Sequence, residues 1–355
     1  MPQSHKGRGA GFNTPNRFEK LHLEKLDIEQ DEYEESSPIP TQFFNDTTKS
    51  IIAKNESPDI PYAYSINPYR GCEHGCIYCY ARPSHEYLGF SAGIDFESKI
   101  LVKHDAPALL EEVFRKKSWK PEMIALCGNT DPYQPVERKL GITRKLLEVC
   151  LKYGNPVGVI TKNFLLSRDL DILKALSALN LVTVTVSLTS MDADLIRIME
   201  PRTAAPHKRL ELIELLASNK IPTGVNIAPV IPGFTDEEIP VLLREAAARG
   251  ATYAGLGMLR LPGAVEPLFL DWIQREYPDR AAKIINRIHD VRGGKLSDSR
   301  FGTRIKGTGK IAETIHKLFK LNCAKYGLDK KNFEFSLEHF RHNPDSQYGD
   351  QLGLF

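Results

Sequence analysis

The sequence predicts an α/β fold built on a parallel sheet, because six short apolar runs alternate with helical-period segments and the runs are nearly continuous in Val, Ile, Leu and Ala. Consecutive parallel strands need a connection long enough for a helix. Helices on both faces of such a sheet bury both sides of its strands, which removes the two-residue alternation of a half-exposed sheet. With 355 residues the chain has room for one large domain and extensions, since single cores stop growing near ~250–300 residues.

Taken in order, residues 1–60 are polar, Gly-rich and then acidic, and read as a largely extended or disordered N-terminal segment. Strand-like runs follow at 62–66, 122–127, 156–161, 181–188, 222–231 and 253–259. Between them, helical periodicity covers 106–117, 142–153, 167–179, 207–219 and 236–250. The α/β domain spans 61–265, residues 266–340 read as a helical extension, and 341–355 as a flexible tail ending in QLGLF. Two closures fit the alternation: an open doubly wound sheet, or a (β/α) barrel, complete or partial. No G-x-G-x-x-G follows the first strand, which counts against a dinucleotide-binding sheet.

An apolar fraction of 41% and a charged fraction of 26% describe a water-soluble chain, and no run approaches the ~18 apolar residues of a membrane span. The N-terminus has no apolar stretch to serve as a secretory signal, so a cytoplasmic, reducing setting is expected. Six cysteines are then no disulfide framework. The net charge of +2 decides nothing about nucleic acid, since binding depends on where basic groups lie. Residues 291–310 carry Arg292, Lys295, Arg300, Arg304, Lys306 and Lys310 among glycines, as a solvated loop or a phosphate-contacting surface.

The chemistry concentrates in "YRGCEHGCIYCYARP" (69–83), where Cys72, Cys76 and Cys79 follow the first strand and so belong at the C-terminal mouth of the sheet. Structural zinc takes four protein ligands; with only three cysteines, His74 or His85 would have to complete a Cys3His set. Gly71 and Gly75 let backbone wrap around something larger than one ion, as an iron–sulfur cluster requires.

Cys72-x3-Cys76-x2-Cys79, with the aromatic Tyr78 before the last cysteine, resembles the signature of the radical S-adenosylmethionine (radical SAM) enzymes, and the resemblance spans residues 61–262. It implies a partial (β/α)6 TIM-like barrel, a 4Fe-4S cluster held by three thiolates, and S-adenosyl-L-methionine on the fourth iron. Reductive cleavage then yields a 5′-deoxyadenosyl radical that abstracts hydrogen from a substrate. An electron donor such as flavodoxin or ferredoxin is implied as well. "NPYRGCEHGCIYCYARP" and "GNTDPYQPVE" (128–137) are similar to the branch that includes spore photoproduct lyase, often labelled DNA repair photolyase. That likeness points to a nucleic-acid substrate.

The family pattern assigns Thr130 and Asp131, at the end of the second strand, to the SAM amino group. Ser187 and Asn226, on the fourth and fifth strands, fall where contacts to ribose and carboxylate are usual. Lys162, Arg202 and Arg260 are candidates for the SAM carboxylate or a substrate phosphate. The plainer alternative for Ser187 and Asn226 is a cap or turn residue, and for Asp131-Pro132 simple turn chemistry. Cys127 lies near the cysteine that, in spore photoproduct lyases, returns a hydrogen atom to the product radical, though a lone cysteine is usually a small hydrophobe. The tail Gln351–Phe355 resembles the peptide by which bacterial repair proteins hook onto the sliding clamp. Two alternatives stand beside the repair-like reading: a non-catalytic iron–sulfur or zinc protein associated with nucleic acid or the clamp, and a radical SAM enzyme that modifies a protein or small metabolite.

Overall fold

Each of the six apolar runs forms a strand lying beside its predecessor. In a computed structural model that describes residues 5–18, 39–329 and 333–344, the strands are β1 (Gln42–Asn45), β2 (Ile52–Lys54), β3 (Tyr64–Ile66), β4 (Tyr69–Arg70), β5 (Lys99–Val102), β6 (Ile124–Leu126), β7 (Val157–Thr161), β8 (Val182–Ser187), β9 (Thr223–Val230) and β10 (Tyr253–Met258). The helices are α1 (Ile94–Ser98), α2 (Ala106–Arg115), α3 (Glu137–Leu140), α4 (Ile142–Tyr153), α5 (Leu170–Ala178), α6 (Ala193–Met199), α7 (Pro206–Ser218), α8 (Ile239–Ala248), α9 (Val265–Glu276), α10 (Pro278–Val291) and α11 (Gly309–Tyr326).

The main sheet has the order β10-β9-β8-β7-β6-β3-β2, with only β2 antiparallel to its neighbour. A doubly wound sheet reverses its strand order at a switch point. Here β3, β6, β7, β8, β9 and β10 advance in one direction, the winding of a (β/α) barrel. β10 and β2 remain edges, so the barrel is partial. Across the open side, the Gly302 amide and the Arg304 Nε each donate to the Asp59 carboxylate at 2.7 Å.

Alternation along the strands separates lumen from wall. In β8, Val182, Val184 and Val186 are buried in one apolar cluster with Leu173, Leu176, Leu210 and Leu216, whereas Thr185 Oγ1 meets Tyr253 Oη at 2.9 Å inside the barrel. The register places Ser187 beside Asn226 and Asn226 beside Gly255, one inward row near the C-terminal end. Lower down, the Tyr253 ring covers Gly224 so closely that a Cβ there would lie 2.1 Å from it. The base of the lumen is therefore filled by a side chain.

The core of α9 and α10 is continuous with the cysteine loop: Leu268, Phe269, Trp272, Ile284 and Ile288 share one cluster with Cys76, Ile77, Leu195 and Met199. Along the chain β4, the edge of a second three-stranded sheet of order β1-β5-β4, lies between β3 and the cysteines, so the loop leaves β4 rather than the first barrel strand directly. The N-terminal segment departs from a simple extended or disordered tail. Residues 5–18 have no helix or strand, yet Arg8, Ala10, Thr14 and Asn16 are buried. At the other end the tail expected from residue 341 starts anchored, with the Arg341 amide donating to Tyr153 O at 2.9 Å and His342 Nδ1 2.8 Å from Phe114 O. QLGLF lies outside the described residues. Among the described residues no helix is long and apolar enough to cross a membrane.

Candidate active site

The cysteine loop is shaped by two left-handed glycines. Gly71 (φ +79°) and Gly75 (φ +64°) turn the chain where a Cβ would lie 3.0 Å from the Lys99 and Phe96 carbonyl oxygens and 2.8 Å from Glu97 Oε2 respectively. The Cys72 amide donates to Phe96 O at 2.9 Å and the Cys79 amide to Cys76 O at 3.2 Å. The buried Arg82 guanidinium donates to Cys76 O from Nη2 at 2.9 Å and pairs with Glu97 at 2.5 Å. Burial raises the Cys76 thiol pKa well above its usual value, and the Glu200, Cys79 and Cys72 charges add to this while Lys162 opposes it. Burial likewise raises Cys79, with Cys72 adding to it. Each thiol lies within the electrostatic reach of the others, and loading metal would release their protons.

Histidine does not complete this set. His74 has both ring nitrogens engaged, Nδ1 at 3.4 Å from Asp131 Oδ2 and Nε2 at 3.2 Å from Asn163 Nδ2. Burial alone would lower its pKa, but the Asp131 and Cys72 charges raise it to about 10. His85 is enclosed by Phe90 and Phe96, and burial lowers its pKa to about 4. Among the described residues no three His, Cys, Asp or Glu side chains converge as around a single metal ion. The donor set therefore departs from the Cys3His zinc alternative. It fits a four-iron cluster instead: three thiols on one loop, backbone wrapped where no side chain fits, and the ring nitrogens of the nearby His74 turned to Asp131 and Asn163.

The second motif is wired to the first. The Glu73 amide donates to Gln134 Oε1 at 2.9 Å, Gln134 Nε2 to Gly71 O at 3.2 Å, and the Val136 amide to Glu73 Oε2 at 2.7 Å. Asp131 accepts from Thr161 Oγ1 at 2.7 Å, the Lys162 amide at 2.7 Å and the Tyr133 amide at 2.9 Å, besides facing His74. A carboxylate has about four lone-pair sites, so Asp131 is committed to the protein and holds β6, β7 and the cysteine loop together rather than presenting itself to an amino group. Thr130 Oγ1 donates to Tyr69 O at 3.3 Å, and the amides of Asn129 and Thr130 both donate to Asn67 Oδ1.

Tyr78 is likewise committed. Its hydroxyl donates to Glu200, which also accepts from Arg209 and from Thr189 Oγ1 at 2.7 Å. Burial would raise the Glu200 pKa, but the charges of Arg209 and Lys162 and the hydroxyl donors bring it down to about 2. Arg202, expected near SAM or a phosphate, instead bonds Glu73 Oε1 and Thr41 Oγ1, both at 3.3 Å.

Other predicted residues keep their polar groups open. Lys162 Nζ lies 5.9 Å from the Tyr78 ring centre, close enough to Cys76 and Cys79 for its charge to favour their thiolates. Neither the Ser187 nor the Asn226 side chain has a hydrogen-bond partner among the described residues, and both lie on the inward row. Arg260 stacks on Tyr80 at 5.8 Å with a buried Nε left unpaired. Cys127 Sγ lies 3.6 Å from Tyr62 Oη, and burial pushes its thiol up to about 12. Sequence reasoning passed over Arg82, Glu97, Glu200 and Arg209, all fully or almost fully buried. Each stands among other polar or charged residues, so no local signal singled it out, and their pairing across 15 and 9 residues is set by the fold.

A family model of the Radical SAM superfamily matches residues 66–246. An uncharacterized protein of Mycobacterium tuberculosis (strain ATCC 25618 / H37Rv) is 36% identical over 250 residues, 68% of this chain and 74% of its own. An uncharacterized protein of Methanocaldococcus jannaschii is 29% identical over 175 residues, 49% of this chain and 63% of its own. Among solved structures, a mutant spore photoproduct lyase superposes with a TM-score of 0.56 at 16% identity, covering 83% of this chain and 82% of that one. Another, with bound AdoMet and dinucleoside spore photoproduct, gives 0.53 at 16% identity with the same coverage. At these identities the structural likeness establishes a shared fold. The chain belongs to the radical SAM superfamily and is an enzyme of that class, with a 4Fe-4S cluster and S-adenosyl-L-methionine as its cofactors.

Proposed function

We propose that this radical SAM enzyme abstracts a hydrogen atom from a nucleic-acid substrate in a repair or modification reaction. When bound and reduced, the cluster and SAM supply the 5′-deoxyadenosyl radical. The observation that carries the reading is the pairing, at one mouth, of a rigidly held three-thiol loop with an inward row of uncommitted polar groups, Lys162, Ser187 and Asn226. Their donors and acceptors suit the carboxylate, amino and hydroxyl groups of SAM. Tyr78, fixed through Glu200, gives Lys162 a face to lie on.

Cys127 stands one residue past β6, neutral at working pH and beside the Tyr62 hydroxyl. A neutral thiol has a hydrogen atom to give, so in this reading it quenches the product radical. The nucleic-acid class is supported by the likeness to the spore photoproduct lyase branch and by the rim, where Arg260 lies near the Arg304 segment that bridges the open side. In this reading the protein works in the reducing cytoplasm with a flavodoxin or ferredoxin as electron donor, and the likeness of Gln351–Phe355 to clamp-binding peptides supports docking on the sliding clamp. Removing that pentapeptide should abolish binding to purified clamp; unchanged affinity refutes the docking.

The enzyme reading is tested by anaerobic reconstitution, reduction and addition of SAM with ultraviolet-damaged DNA deuterated at candidate positions. Deuterium in 5′-deoxyadenosine is the expected result. Release of 5′-deoxyadenosine without label from any nucleic acid, but with label from a protein or metabolite, overturns the substrate class. A cluster that binds SAM and never cleaves it overturns the radical chemistry.

A further inference from the structure

We infer that residues 5–18 are a working part of the cluster site: a strap that closes the outer side of the cysteine loop and holds bound iron in place. The strap and the loop share one buried ion pair. Glu97 accepts from the Gly9 amide at 2.9 Å and the Ala10 amide at 2.8 Å, and pairs with Arg82 at 2.5 Å. Arg82 in turn donates to the carbonyls of Gly75, Cys76, Ala92 and Gly93. Both side chains are 0% exposed. A buried pair is tolerable only when its remaining lone pairs and protons are satisfied, and the two strap amides are what satisfy Glu97. Losing them leaves a carboxylate short of donors directly behind Cys76.

The contact is made backbone to backbone, at glycines. A Cβ on Gly9 would lie 1.9 Å from Gly75 O, and one on Gly93 would lie 2.1 Å from Phe12 O. Apolar packing continues it: Ala10 and Phe12 join Cys76, Ile77 and Cys79 in one cluster. The strap is tied down along its length. Arg8 donates to Glu97 O at 2.5 Å and Ile39 O at 2.7 Å, Asn13 exchanges two 3.0 Å bonds with Asp95, and Arg17 pairs with Glu86 at 2.8 Å. Groups behind metal ligands fix ligand orientation and solvent access, and through them metal retention and potential. The strap is such a layer for Cys76 and Cys79, supplied from a part of the chain some 60 residues away in sequence.

The inference rests on the three cysteines as cluster ligands and not on the substrate, so its failure leaves the nucleic-acid reading untouched. The test uses full-length protein, reconstituted anaerobically, with iron release to bathophenanthroline and the midpoint potential from electron paramagnetic resonance as readouts. Gly9→Val and Glu97→Gln should each lose iron about tenfold faster than wild type, while Lys325→Ala, on the far end of α11, should not. Wild-type release rates and potential in both variants, with unchanged circular dichroism, overturn the inference. The wild-type protein gives a second reading that needs no variant: cluster loading should slow tryptic cleavage after the buried Arg8, and equal cleavage with and without cluster also overturns it.

Discussion

On the β3 and β6 side of the barrel mouth most polar side chains are bonded within the protein; on the β8 and β9 side Ser187 and Asn226 face the lumen without a partner among the described residues. Asp131, His74, Asn163, Gln134, Glu73 and Asn67 form a cross-braced frame around the cysteine loop. Ser187 and Asn226 stand opposite among small residues, Gly255 beside Asn226 and Gly257 above Ala228. A cluster needs ligands held still, whereas a ligand that enters and leaves needs open bonds and room. The two sides divide these tasks between them.

The comparison breaks if the frame proves dispensable. Glu200→Gln removes the partner of a fully buried arginine and should cost about 3–5 kcal/mol in urea unfolding, the largest effect expected; an unchanged midpoint would mean that Arg209 finds other acceptors. The same carboxylate makes stability acid-sensitive. Its folded pKa, about 2, lies below the ordinary 4.5, so its contribution is present above pH 4.5 and is lost as pH falls toward 2. Thermal melts across that window should flatten in Glu200→Gln relative to wild type. On the open side, Ser187→Ala and Asn226→Ala should leave unfolding within about 0.5 kcal/mol of wild type while weakening SAM binding about tenfold. Equal SAM affinity with lost stability would reverse the assignment of the two sides. The smallest effect on the cofactor is expected from Cys127→Ala, which should leave 5′-deoxyadenosine formation intact and alter product or the return of label. An unchanged product removes Cys127 from the chemistry.

Much of the fold was legible because buried parallel strands and their crossover helices write long apolar and helical periods. The strand expected over 181–188 in "LVTVTVSL", formed at 182–187, and the helix over 142–153 follow directly from such patterns. The cysteine loop was legible for a different reason, since a three-residue and a two-residue spacing around soft ligands has few other uses. Asp131 and Tyr78 stand out in the motifs, but their bonds do not. Whether a carboxylate faces a ligand or four protein donors depends on which loops pack against it, and those come from residues 74, 133, 161 and 162. Arg202 was displaced from the site by the same cause, since Glu73 and Thr41 reached it first.

The N-terminal segment separates the two sources of knowledge most clearly. Its sequence is polar and rich in glycine, which by local rules predicts chain that buries too little to fold. Against a loop whose own glycines leave no side chains in the way, those glycines permit a backbone contact that a more apolar sequence would have blocked. Sequence by itself determined the α/β alternation, the three thiols and the cofactors they imply, because these depend on period and spacing within one stretch of chain. Only the tertiary structure decided the direction of winding, which polar groups stay open, and what lies behind the cysteines, because each of these depends on partners far apart in sequence meeting at a few ångströms.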